Sequence, residues 1–196
     1  MCIIKFVGGD IMTKSRLESI TDAILAIIMT IMALEIHTPA APTLKAFGTI
    51  LVPLFAFFVS FFGLTNLWLA HHHLFKQVKR ISYRTVFLNM ALLFWVTLVP
   101  VSTSWVADYP QKALPEQFFI IIQLGWFVFI DLLIRSVHYD NPNLDTNLHI
   151  TNWWTNGLFI LFLIFPIPYS GLVLGSLVMI RVPILWIRRE RHGELD

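Results

Sequence analysis

The chain is short of charge. Only 13% of its 196 residues are Asp, Glu, Lys or Arg, about half the share that coats an ordinary soluble domain. A single cysteine, Cys2, excludes an internal disulfide and offers no metal-ligand spacing. No signal-peptide core is present at the N-terminus, because Met1 to Ser15 holds two glycines, an aspartate and no apolar run of useful length. Residues 1–14 are expected to form a flexible segment, and the pattern leaves open whether Met1 or Met12 is the start. Low-complexity tracts, long linkers and a separate soluble domain are also missing. The two halves show no convincing repeat, which weakens an inverted-repeat transporter reading.

What the chain has in quantity is hydrophobicity, at 57% of residues. Its apolar runs reach the ~20 residues that a helix needs to cross a bilayer. They predict spans at about 17–36, 46–70, 86–106, 116–134, 150–165 and 170–187, with Pro53 as a candidate kink and Pro166–Ile167–Pro168 as a tight turn. Residues 1–196 thus read as a single all-α integral membrane domain, a six-transmembrane-helix bundle.

Orientation follows from the basic residues. Lys5, Lys14, Arg16, Lys76, Lys79, Arg80, Arg84, Arg135, Arg188, Arg189 and Arg191 fall on one side. Only Lys45 and Lys112 fall on the other, and Arg181 lies within a span, where snorkelling would carry its head to the interface. This split of all fourteen basic residues predicts both termini in the cytoplasm.

Polar groups inside spans are the informative ones, because lipid cannot satisfy them. Arg16, Thr21 and Asp22 start the first helix, Asn66, Trp68, His71 and His72 end the second, and Asn89 starts the third. All lie near one membrane face, which permits an interhelical network in which Asp22 accepts from Arg16, an indole or an imidazole. The plain reading is a packing network. His71–His72–His73 is no metal site by spacing, since consecutive helical residues point ~100° apart. Asp131 and Arg135, spaced i, i+4, are expected to pair. On the first helix Ile27, Ile31 and Leu34 make one apolar stripe, with Thr30 beside it and Glu35 at its outer end. From spacing alone this stripe reads as ordinary packing.

The run Arg16-Leu17-Glu18-Ser19-Ile20-Thr21-Asp22 resembles the Arg-x-x-x-Phe-Ser-Asp signature of the transmembrane protein 175 family, lysosomal potassium channels and their smaller prokaryotic relatives. The resemblance continues through Ala23 to Ile27, Leu34-Glu35-Ile36 and Trp68-Leu69-Ala70-His71-His72. Ile20 replaces the Phe and Thr21 the Ser, so an aromatic packing contact is lost while Arg16 and Asp22 remain. The motifs cover the first three helices, whereas the six-helix layout resembles one family repeat over nearly the whole chain.

The resemblance implies a potassium-permeable channel, modestly favouring potassium over sodium, with no TVGYG-type carbonyl filter. Its constriction would be Ile27, Ile31 and Leu34, with Thr30 supplying hydroxyls and Glu35 at the pore mouth. Arg16, Thr21, Asp22, Asn66, Trp68, His71, His72 and Asn89 would form the network that positions the pore helix. One repeat supplies one pore helix, so four copies around a central pore are expected: a homotetramer. The expected setting is the plasma membrane of a prokaryote, the partners other copies of the chain, lipid, potassium and other monovalent cations. No cofactor, metal, catalytic residue or nucleic-acid partner is expected. Competing readings are a proton- or metal-coupled transporter using Asp22 with His71 or His72, a membrane-embedded enzyme, which would need a convergent catalytic set, and a structural subunit.

Overall fold

The computed structural model describes residues 12–142, 144 and 153–191, the backbone only for 153–155 and 181–191. Among these residues every element is a helix: α1 (Lys14–Leu34), α2 (Leu44–Gly48), α3 (Leu51–Gln77), α4 (Tyr83–Thr97), α5 (Val99–Asp108), α6 (Ala113–Asp140), α7 (Trp153–Ile164) and α8 (Ser170–Arg191). Four helical stretches are long and apolar enough to cross a membrane: Lys14–Leu34, Leu44–Gln77, Tyr83–Asp108 and Ala113–Asp140. Most of the N-terminal segment lies outside the described residues, as does the side chain of Arg181.

Local chemistry sets the boundaries. Thr13, Thr43 and Ser82 each turn a side-chain oxygen back onto a backbone N–H, from Arg16, Ala46 and Thr85, and so cap α1, α2 and α4. Pro53 sits in the first turn of α3 rather than at a kink within a longer helix, and the break falls before it, at Thr49–Ile50. A first-turn residue has no intrahelical acceptor to lose, so proline is tolerated there. The apolar stretch over 86–106 is divided at Leu98, between α4 and α5. Pro100, in the first turn of α5, has no N–H to extend the α4 ladder. After α7 the chain turns at Pro166–Ile167–Pro168, where Tyr169 takes φ 65 and its N–H donates to the Pro110 carbonyl at 3.1 Å.

The core runs along the middle of the bundle. Leu17, Leu25, Ile28 and Met32 of α1 meet Leu64, Leu67 and Phe75 of α3, Leu92 and Val96 of α4, and Ile120, Trp126 and Ile130 of α6. Helix α6 packs on α4, α5 and α7, and α1 lies against α3, α4 and α5. Gly125 lets the Trp95 indole lie directly on the α6 backbone; a Cβ there would overlap the ring. The consequence for function is the placement of α1. It is held from one side and leaves its other side uncovered.

Candidate functional site

Helix α1 has two faces. Leu17, Thr21, Leu25, Ile28 and Met32, spaced by three or four residues, are buried. Ile27, Ile31 and Leu34 are exposed by 56%, 41% and 82%. Around them the exposed surface carries Arg16, Ser19, Asp22, Ala23, Ala26 and Thr30. Arg16, Ser19 and Asp22 fall within the first three turns of α1, and Thr30 lies further along beside the apolar stripe. The Thr30 hydroxyl donates within its own helix, to the Ile27 carbonyl at 2.7 Å and the Ala26 carbonyl at 3.3 Å. Its single hydrogen being so used, the oxygen presents only lone pairs to whatever lies across the exposed face. Glu35 caps the C-terminus of α1 and is exposed.

The buried face of α1 is fastened by polar bonds. Thr21 Oγ1 donates to the Leu17 carbonyl at 3.0 Å and accepts from Asn89 Nδ2 at 2.9 Å. Asn89 Oδ1 lies 2.9 Å from His71 Nε2. An amide oxygen can only accept, so His71 carries its proton on Nε2 in this arrangement. The imidazole also stacks on Phe75, with centroids 4.3 Å apart. Thr21, His71 and Asn89 are 1%, 1% and 0% exposed, and one chain of bonds joins α1, α3 and α4.

Asp22, next to Thr21 in sequence, points another way. Its Oδ1 accepts from the Trp68 indole at 2.9 Å, and Trp68 stacks on His72 with centroids 5.7 Å apart. Of the donors the sequence offered to Asp22, the indole is the one in contact. Arg16 is exposed, and the ion pair found among the described residues is Arg135–Asp131 at 2.9 Å, the i, i+4 pair of α6. Asn66 does not join these bonds; its Nδ2 donates to the Met179 carbonyl at 3.3 Å and ties α3 to α8. Of the three histidines in a row, His71 is buried, His72 exposed and His73 between the two.

Several polar contacts escaped the sequence reading. Thr85 Oγ1 reaches Ser136 Oγ at 3.1 Å and Asp140 at 3.0 Å, and Ser60 meets Thr103 at 2.8 Å. Asn141 holds the α3–α4 turn, accepting from the N–H groups of Lys79 and Arg80 and donating to the Arg80 carbonyl. Glu116 is 1% exposed and accepts from Gly171 N–H at 2.8 Å, capping α8 from a distance of 55 residues. A glutamate at the edge of an apolar run was the available signal for it; its partner was not legible.

Comparison with known proteins follows the same residues. The family described as "Endosomal/lysosomal potassium channel TMEM175" matches residues 16–100, from Arg16 into α5. A potassium channel of Chryseobacterium sp. is 41% identical over 95 residues, 48% of this chain and 50% of the relative. One of Streptomyces collinus is 33% identical over 144 residues, 67% of this chain and 70% of the relative. The match to the first of these therefore spans about half of that protein. The crystal structure of a lysosomal potassium-selective channel TMEM175 homologue from Chamaesiphon minutus shares the fold, with TM-score 0.72, 24% identity, and coverage of 87% of this chain and 96% of that one.

Proposed function

The chain belongs to the TMEM175 family, and on that premise we propose that it is a potassium-permeable cation channel whose constriction lies on α1. The carrying observation is the uncovered face of α1. Ile27, Ile31 and Leu34 stand exposed in line with the acceptor oxygen of Thr30 and with Glu35, on a helix whose opposite face is bonded into the bundle. Four chains around an axis would turn these faces toward one another and give rings of isoleucine, threonine and leucine.

In this reading an apolar ring gates by dewetting and penalises ions that hold water tightly. Potassium sheds water more readily than sodium, so a modest preference for potassium arises without a carbonyl cage. Thr30 oxygens help to hold the partly hydrated ion, and Glu35 concentrates cations at the mouth. The bonds from Thr21 to Asn89 and His71, and from Trp68 to Asp22, fix the rotation of α1 and hence which residues face the axis. Arg16 and His72 flank this network at the same helix ends, and Asn66 steadies α3 against α8. The full proposal is a homotetramer in a prokaryotic plasma membrane, each chain crossing six times with both termini cytoplasmic. The distribution of Lys and Arg supports that topology.

The test is ion flux from liposomes holding the purified protein, with potassium, sodium and caesium gradients compared. Dissipative flux favouring potassium or caesium over sodium, and increased by Ile27→Asn, is the expected result. Well-folded tetramer that passes none of these ions would end the channel reading.

A further inference from the structure

The turn between α3 and α4 is basic. Lys76, Lys79, Arg80 and Arg84 fall within nine residues, and no Asp or Glu occurs between Glu35 and Asp108. All four side chains are exposed, and none forms an ion pair with another described residue. The backbone that carries them is braced. Asn141 Oδ1 accepts from the Lys79 N–H at 3.2 Å and the Arg80 N–H at 3.0 Å, and its Nδ2 donates to the Arg80 carbonyl at 3.0 Å. Lys14 of α1 donates to the Lys76 carbonyl at 3.2 Å and adds a fifth cation to this end.

A cleft of about 270 Å³ opens beside the turn, lined by Gln77, Lys79 and Arg80 and, from the end of α6 onward, by Asp140, Asn141, Pro142 and Leu144. Asp140 is the one carboxylate among these, and its Oδ2 is engaged by the Thr85 hydroxyl at 3.0 Å. The negative end of α6 is partly neutralised too, because the Val137 and His138 carbonyls accept from the Asn141 N–H. Other carboxylates toward this end are Glu18 and Asp22 on α1 and Asp131 on α6; Asp22 is bonded to Trp68 and Asp131 to Arg135. Basic charge therefore prevails at the turn. Along α4 the surface then becomes apolar. Tyr83, Phe87 and Phe94, spaced by four and seven, share one helix face and are 58%, 72% and 60% exposed. A soluble anion would use the charges and leave this stripe idle, whereas a lipid uses both. We infer that the α3–α4 turn and the adjoining face of α4 hold an anionic phospholipid, its phosphate at Lys79 and Arg80 with Lys76 and Arg84 beside them. The acyl chains run along Phe87 and Phe94, and Tyr83 stands at the level between headgroup and chains. The surface is built within one chain, so binding does not depend on conduction. Only the choice of leaflet, the cytoplasmic one, rests on the proposed topology.

The experiment is native mass spectrometry of the detergent-purified protein titrated with phosphatidylglycerol, and with phosphatidylcholine of the same chains. Phosphatidylglycerol is expected to bind saturably and more tightly. Lys79→Gln combined with Arg80→Gln should weaken it about 25-fold, at about fivefold per charge removed. Lys79→Arg combined with Arg80→Lys should retain it, which separates lost charge from lost folding. Lys45→Gln combined with Lys112→Gln removes as much charge at the opposite end and should bind as the parent does. Glycerol 1-phosphate, the headgroup without its chains, should not displace the lipid at equal concentration. Equal binding of phosphatidylcholine, full affinity after Lys79→Gln with Arg80→Gln, an equal loss in the Lys45 and Lys112 pair, or displacement by glycerol 1-phosphate would each overturn the assignment. Selective lipid binding without ion flux would leave this surface standing and sink the channel; flux without lipid selectivity would do the reverse.

Discussion

Asn89→Leu is the substitution that most directly tests how α1 is held. The Asn89 side chain is 0% exposed and makes two interhelical bonds of 2.9 Å, to Thr21 on α1 and His71 on α3. Leucine keeps asparagine's branching but is the larger side chain, so the change removes the bonds without opening a cavity, and any overpacking adds to the loss. Thr21 keeps its own bond to the Leu17 carbonyl and loses only a donor, whereas the His71 N–H is left buried with no acceptor. Interhelical hydrogen bonds in membrane proteins average about 0.6 kcal/mol and reach about 1.7. An orphaned buried donor costs about 1–3 kcal/mol. A loss of about 1–3 kcal/mol is therefore expected, an apparent Tm lower by about 3–10 °C for a domain of this size. Thermal unfolding in detergent, followed by tryptophan fluorescence, measures it. A double-mutant cycle with Thr21→Val should show coupling of at least about 0.5 kcal/mol. Asn66→Leu, which breaks a bond to α8 instead, should be additive with Asn89→Leu. Unchanged stability in Asn89→Leu, or strict additivity with Thr21→Val, would refute the claim that this chain of bonds positions α1.

Four other outcomes follow from the same geometry. Gly171→Ala should cost about 1–3 kcal/mol, since a Cβ there would lie 2.8 Å from both Glu116 Oε2 and Phe119 Cδ1. Gly48→Ala, with nothing within 4 Å, should be neutral or stabilising in the same unfolding assay. Trp68→Phe removes the 2.9 Å indole bond to Asp22; because both groups are exposed, a loss of only about 0.5–1 kcal/mol is expected, with a measurable change in single-channel conductance if Asp22 fixes the rotation of α1. Glu35→Gln should lower potassium conductance at about 0.01 M salt and have little effect at about 1 M, where the Debye length falls from about 30 to 3 Å. Equal conductance of the two proteins at low salt would remove Glu35 from the pore mouth.

Much of this protein was legible without coordinates. Apolar run length alone marks an all-helical membrane chain, because a bilayer core admits only segments that satisfy their own backbone, and helices do so locally. The run from Arg16 to Asp22, continued through Leu34-Glu35-Ile36 and Trp68 to His72, carried the family by its resemblance to that family's signature. The i, i+4 pairing of Asp131 with Arg135 was readable for another reason: both partners ride one helix, so spacing and contact are the same fact.

Contacts between helices were not readable in that way. Sequence fixes the depth of a polar residue at 1.5 Å per position, but not which neighbour the helix turns toward it. Asn66 and His71 sit near one end of α3, and both were natural members of a single network. Five residues of helix rotate them about 140° apart, so His71 meets Asn89 on α4 while Asn66 meets the Met179 carbonyl on α8. Asp22 had three candidate donors at one depth, and only packing brought the Trp68 indole to it. The exposure of Ile27, Ile31 and Leu34 belongs to the same class. Their spacing made them one stripe, which fits a buried seam as well as an open face. The tertiary structure decided between the two by placing α3, α4 and α5 all on the other side of α1.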